Sequence, residues 1–262
     1  MRTLSDSFLQ FLVTQLDNEN TIGVTMTGSY ARGESGPYSD VDIHCYVKQM
    51  PSNAAETSYL RFIKGNLVSV SLTTLEGVYN SLRNPQNSIW IIPGLRQSRI
   101  LMDKDGSIAA LKEFAVKIRW KVLQTSANEY ASWNLSGCTE EVYKILAGLA
   151  RQDESKTLYA VWGLTHALAN ALLIQRGILI QTENAYIDLV QETAGRSSEW
   201  TRHFRLAVGL DLLQPVESAY LGYGVASLRL YCETARLLQD ILLPEDASIV
   251  TQTLAIIAEA GY

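Results

Sequence analysis

The stretch TGSYARGESGPYSDVDIHCYV, Thr27 to Val47, decides how the rest of the chain is read. It sets a Gly-Ser pair, Gly28 and Ser29, ten residues ahead of two aspartates, Asp40 and Asp42, that flank a single valine. From Asp40 to Val47 polar and apolar side chains alternate, the pattern of a strand with one buried face. Residues two apart on a strand face the same way at about 6.6 Å, so Asp40 and Asp42 are expected to project together while Val41 enters a core. Two carboxylates on one surface repel unless a cation compensates them. Metal ions in two-metal phosphoryl-transfer sites lie roughly 3.5 to 4 Å apart, a span such a pair bridges, and the oxygen donors suit Mg²⁺. Gly28 allows close backbone approach to a ligand, and Ser29 offers a hydroxyl and an N–H at the start of an expected short helix, SYARGE. Together they read as a triphosphate cradle. Arg32 is the one Lys or Arg in the stretch and the local candidate for phosphate charge. The turn formers of GESGPYS bring the chain back, so that the aspartate strand lies beside the strand preceding Gly28.

Working outward, residues 3 to 18 read as a helix and TIGVTMT, Thr21 to Thr27, as a strand. NLVSVSL, Asn66 to Leu72, is a further strand with Ser69 and Ser71 on one face and Val68, Val70 and Leu72 on the other. SRILMD is the last strand expected. From Ser107 the pattern is helical: SIAALKEFAVKIRWKVLQ, TEEVYKILAGLARQ, SKTLYAVWGLTHALANALLIQRG, NAYIDLVQETAG, SEWTRHFRLAVG and a long segment near Ser218 to Leu242. Gly177 and Gly195 stand where left-handed helix caps belong. The expected organisation is α+β: a mixed-sheet α/β domain over 1–106 and a helical bundle over 107–262, with a site in the cleft between two domains.

Composition bounds the function. A chain of 262 residues, 47% hydrophobic, has material for a sizeable core. A formal charge of −5 argues against a nucleic-acid coat, whose affinity comes from clustered Lys and Arg. Cys45, Cys138 and Cys232 are too few and scattered for a disulfide framework or a zinc site, which points to a reducing cytoplasm. The start, MRTLSDSFLQ, lacks the order of a secretory signal. Thr157 to Gln175 is uncharged and long enough for a membrane span, yet it carries Thr165, His166, Asn170 and Gln175; a buried bundle helix is expected and no membrane partner.

The segment GSYARGESGPYSDVD resembles the motif of the nucleotidyltransferase superfamily, which includes DNA polymerase β and the antibiotic adenylyltransferases. With a helical second half, the chain looks most like the kanamycin and lincosamide nucleotidyltransferases, two-domain enzymes that transfer AMP from Mg·ATP to a hydroxyl. The resemblance implies that Gly28 and Ser29 hold the triphosphate and that Asp40 and Asp42 ligate Mg²⁺ ions. The family usually adds a third acid on a following strand, and here Ser69 stands at the matching position. Related drug-modifying enzymes place a glutamate base on a helix of the second domain. CTEEVYKIL offers Glu140, Glu141 and Lys144, with Glu141 the candidate base and Lys144 either a phosphate counter-charge or an ion-pair partner.

Plainer readings stand beside these. Glu141 in a first helical turn favours the helix dipole by about 0.3 to 1 kcal/mol without any catalysis, with Thr139 as N-cap. His44 is either a partner of the aspartates or a half-buried strand residue. DKDG, Asp103 to Gly106, lacks the ligands of a calcium loop and reads as a turn. GYGVAS, Gly222 to Ser227, fails as a dinucleotide fingerprint. Trp120, Trp133, Tyr143, Trp162 and Trp200 are expected in a core, some of them free to line an acceptor pocket. The leading expectation is a Mg²⁺-dependent enzyme that uses ATP and a small-molecule acceptor such as an aminoglycoside-like antibiotic. The rival is a catalytically impaired nucleotide-binding or regulatory protein on the same fold. Transfer to a protein or tRNA hydroxyl is a third reading, disfavoured for tRNA by the negative charge.

Overall fold

The computed structural model describes residues 3–211 and 219–262. The chain divides into two compact units, one of residues up to Val122 together with Leu179–Thr182, the other of Leu123–Ile178 and Glu183–Tyr262. The division falls at Val122/Leu123 and not at residue 106.

In the first unit, helix α1 (Asp6–Leu16) begins at Ser5, whose hydroxyl accepts from the Phe8 N–H and so satisfies one of the open donors of the first turn. Strand β1 (Thr21–Thr27) leads into a single-turn helix α2 (Gly28–Arg32), and β2 (Val41–Val47) follows the loop. Strands β3 (Ser58–Ile63) and β4 (Asn66–Thr73) form a hairpin whose two turn residues, Lys64 and Gly65, both have positive φ, as the twist of a two-residue hairpin demands. Helices α3 (Leu75–Ser81) and α4 (Pro85–Gln97), strand β5 (Arg99–Asp103) and helix α5 (Ser107–Lys117) complete the unit. The sheet order is β3-β4-β2-β1-β5, mixed because β2 and β4 run parallel while the other pairs are antiparallel.

Alternation on the central strands sorts their side chains. Val24 and Met26 of β1, Val41, Ile43 and Cys45 of β2 and Val68 and Val70 of β4 are buried against Phe8, Leu9 and Leu12 of α1. A second cluster joins Tyr46, Val78, Ile92 and Leu95 to Ile108, Leu111 and Ala115 of α5. This is why the unit reaches past Gly106: α5 supplies three buried residues to its core. The DKDG segment is the turn that launches α5, with Asp103 Oδ1 and Oδ2 accepting from the Gly106, Ile108 and Ala109 N–H groups.

Strand β3 is absent from the sequence reading. It is an edge strand, largely exposed, with Leu60 and Phe62 on the surface, so no buried stripe betrays it.

The second unit is helical: α6 (Gln124–Gly137), α7 (Thr139–Arg151), α8 (Glu154–Gln175), α9 (Tyr186–Ala194), α10 (Glu199–Ala207), α11 (Ala219–Leu238) and α12 (Pro244–Glu259). Ser218, expected near the start of the long helix now seen as α11, lies outside the described residues. Helix α8 is long and apolar enough, by length and composition, to cross a membrane, but 61% of that window is buried inside the protein, as in a bundle's core helix. Gly177 and Gly195 both take positive φ at helix ends. The run SIAALKEFAVKIRWKVLQ is not one helix: it breaks after Lys117 into a 3₁₀ turn at Trp120–Leu123 before α6.

Of the aromatic residues expected inside, Trp200 is fully buried, stacks on Phe204 at 5.2 Å and donates its indole N–H to Thr234 Oγ1 at 2.8 Å. Trp120 is half-buried. Trp133, Tyr143 and Trp162 are exposed at 64%, 51% and 71%. Tyr159 and Trp162, three apart on α8, instead lie against each other on its outer side.

Candidate functional site

The register of β1 on β2 builds the site. Thr27 pairs with Asp42, so the next residue, Gly28, is carried to the carboxylate. Gly28 has φ +67°, and a Cβ placed on it would lie 2.0 Å from Asp42 Oδ2. Only a residue without a side chain fits, because the conformation is left-handed and the space is already taken by the acid. Glycine was expected here for close approach to a ligand; the structure shows it seating the Asp42 side chain.

Helix α2 closes with Gly33 at φ +71°, whose N–H, with that of Glu34, turns back on the Ser29 and Tyr30 carbonyls. The loop then returns through a turn at residues 36–39, where the Gly36 N–H donates to Ser39 Oγ at 2.9 Å. Asp40 follows one residue before β2 begins, and Val41 between the two aspartates is fully buried. Asp40 and Asp42 are themselves half-buried. The Ser29 hydroxyl makes no hydrogen bond to any described residue, which leaves it available to a ligand.

Strand β4 lies on the other side of β2, and Ser69 is the register partner of Asp42, Ser71 that of His44. Register partners point to the same side of a sheet, so Ser69 shares the Asp42 face while Val68 and Val70 are buried on the opposite one. No set of three His, Cys, Asp or Glu side chains among the described residues is grouped as a metal site. The aspartate motif brings two half-buried carboxylates, Asp40 and Asp42, to the start of β2. They fit a magnesium ion, which takes one or two protein carboxylates and completes its shell from substrate phosphates and water. His44 is pushed below the usual histidine range by burial.

Arg32 is held in place by the protein. Its Nε donates to Glu34 Oε2 at 2.7 Å and its Nη1 to the Gln181 carbonyl at 3.2 Å, and its side chain is 14% exposed. The Gln181 contact has no signal in the local sequence, since the partners are 149 residues apart.

Glu141 and Lys144 belong to the helical unit. Lys144 Nζ pairs with Glu140 at 3.0 Å and Glu141 at 2.8 Å, and these carboxylates raise its pKa. Glu141 Oε2 is buried with no hydrogen-bond partner among the described residues, packed where α8 presents Gly163. Thr139 does not cap α7: that helix follows α6 directly through Cys138, and the Thr139 hydroxyl bonds Thr253 Oγ1 at 2.8 Å.

Residues 7–88 match the protein family described as nucleotidyltransferase domain. The matched segment holds Gly28, Ser29, Asp40, Asp42 and Ser69 and ends within α4. No curated protein matches the chain. Among solved structures, the chain is similar to the crystal structure of a nucleotidyltransferase-like protein from Exiguobacterium sibiricum 255-15, at TM-score 0.50 and 10% identity, over 96% of this chain and 87% of that one. The family match supports nucleotidyl transfer in general, a reaction for which the family uses a nucleoside triphosphate and a divalent metal. The mixed five-stranded sheet followed by a helical region is the α+β nucleotidyltransferase fold.

Proposed function

We propose that the protein is a Mg²⁺-dependent nucleotidyltransferase that moves AMP from ATP onto a hydroxyl of a small molecule. The observation that carries the reading is the contact between Gly28 and Asp42. At position 28 the left-handed backbone and the Asp42 carboxylate together admit only glycine, a constraint that a mere surface turn does not impose. It sits within the segment that matches a nucleotidyltransferase domain.

In this reading the Ser29 hydroxyl and the N–H groups opening α2 bond the outer phosphates, and Asp40 and Asp42 hold the metal. A bound Mg²⁺ would neutralise charge on the phosphates during transfer. The acceptor oxygen forms a bond to the α-phosphorus, the bridging P–O bond to the β-phosphate breaks, and pyrophosphate leaves. The acceptor's proton needs a base, which a serine at position 69 does not supply. Glu141 is retained for that role on its own surroundings, a buried carboxylate oxygen with no donor. Polyhydroxylated cations such as aminoglycosides are the first acceptors to screen.

A second reading is favoured by one observation. Ser69 stands beside Asp42 where a third acid would complete the metal site, and a protein so altered can bind nucleotide without turning it over. One experiment separates the two. Pyrophosphate release is followed with each nucleoside triphosphate and a panel of acceptors, beside calorimetry of Mg·ATP binding. Release with some acceptor, lost in Asp42→Asn together with a roughly tenfold or greater fall in Mg·ATP affinity, supports the enzyme. Tight Mg·ATP binding with no release from any acceptor, and tighter metal binding in Ser69→Asp, supports the binding protein. No nucleotide binding at all would sink both.

A further inference from the structure

In the helical unit, α10 and α11 line an open pocket of about 340 Å³, at the small end of the roughly 300 to 1,000 Å³ range of ligand sites. Leu206, Leu221 and Val225 supply apolar wall, and Arg202, His203 and Arg229 are the charged or titratable groups that line it. The charges do not cancel. Glu199 is engaged by Arg202, whose Nε donates to its Oε2 at 3.0 Å. Glu233 is engaged by Arg236 at 2.7 Å. Arg229 is left with no carboxylate at ion-pairing distance among the described residues.

His203 adds a neutral polar group to the wall. It is only 5% exposed, and burial first, then the Arg202 guanidinium, lowers its pKa. Arg202 Nη2 lies 3.3 Å from His203 Nε2, and Glu199 Oε2 lies 3.7 Å from the same ring nitrogen. The pocket thus combines apolar wall, a guanidinium with no carboxylate partner among the described residues and a buried imidazole. Water satisfies the arginine but gains nothing from the apolar wall. An inorganic anion gains nothing from it either.

We propose that this pocket binds a small amphiphilic monocarboxylate, its carboxylate on Arg229 and its hydrocarbon body against Leu206, Leu221 and Val225. Arginine is the side chain suited to the anchor, because its planar fork bonds both carboxylate oxygens at once. The site is separate from the aspartate motif and stands whether or not the nucleotidyltransferase reading holds.

The test uses the full-length protein and calorimetry with three probes: octanoate, octanol with the same chain and no charge, and acetate with the charge and almost no chain. Octanoate is expected to bind saturably at one site, with octanol and acetate each about tenfold weaker or more. Arg229→Gln, at an exposed position, is expected to weaken octanoate by about tenfold and leave octanol unchanged. Val225→Trp, which fills the pocket, is expected to weaken both. Octanoate binding that does not saturate, or that is equal in wild type and Arg229→Gln, overturns the proposal. So does a wild-type dimer in sedimentation that Val225→Trp dissociates, since the face would then be a contact between copies of this chain.

Discussion

Two aspartates, one in each unit, show how the same side chain is put to opposite uses. Asp246, at the start of α12, is 8% exposed, and its two oxygens accept from the Ser132 and Ser136 hydroxyls of α6 at 2.6 Å each. Ser132 Oγ in turn accepts from the Leu243 N–H at 2.8 Å, so every group in the cluster has a partner from the protein. Asp42 is half-buried, and the protein makes room for it by withholding a side chain at Gly28. One carboxylate is enclosed and joins two helices. The other is held in position with a face toward solvent. The two acids differ in what positions them: paired hydroxyls on a neighbouring helix for Asp246, and a missing side chain on a neighbouring strand for Asp42.

The sharpest way to break this comparison is Gly28→Ala. The added methyl meets Asp42 Oδ2 and forces a non-glycine residue into left-handed backbone, a cost of about 1 to 3 kcal/mol before the clash is counted. Mg·ATP affinity is expected to fall by about a hundredfold or past detection, a calorimetric result reaching beyond the loss of stability. Unchanged affinity would mean that the geometry around Asp42 does not matter for nucleotide.

Asp246→Ala tests the other side. Removing the acceptor leaves the buried Ser132 hydroxyl proton without an acceptor and the Ser136 hydroxyl with only the Trp133 carbonyl, and is expected to cost about 1 to 3 kcal/mol in urea denaturation, with Mg·ATP binding to the folded protein unchanged. Asp246→Asn, which keeps one accepting oxygen, is expected to cost less. An affinity change in either variant would dissolve the contrast between the two acids.

The smallest expected effect is in pH. His203 has a folded pKa below its ordinary 6.5, so on acidification the unfolded chain takes up that proton first. Stability is therefore full above pH 6.5 and declines as pH falls from there through the lowered folded value. Denaturation midpoints measured from about pH 7.5 to about 5.5 are expected to drop, and His203→Gln to flatten part of the slope. His44, lowered by burial in the same direction, accounts for a further part. A slope unchanged in His203→Gln would show that its burial is not felt.

The first unit was legible where chemistry and local spacing coincide. Gly28, Ser29, Asp40 and Asp42 fall within one short loop and its flanking strands, and the alternation of NLVSVSL placed Ser69 on the polar face, beside Asp42 as the register now shows. Long-range consequences were not legible. That Gly28 makes space for Asp42 depends on strand pairing, and that Arg32 bonds Gln181 depends on a distant part of the chain. In the helical unit α6 went unread because it buries Ala127, Ala131, Ser132, Leu135 and Ser136, mostly small residues that leave a faint hydrophobic period. α12 did carry a signal, Pro244 at the first turn followed by Glu245 and Asp246, the composition of a helix start.

The short segment Leu179–Thr182 sits, in chain order, inside the helical unit but folds with the first. Its Ile180 N–H donates to the Ile89 carbonyl at 2.7 Å, and its Gln181 carbonyl receives Arg32. The polypeptide therefore passes between the units three times, and no single cut separates them cleanly. During synthesis a domain commonly folds as soon as its own residues emerge. Here the first unit cannot make its last contacts until α6, α7 and α8 have left the ribosome, so its folding is completed only after a good part of the second unit has been made.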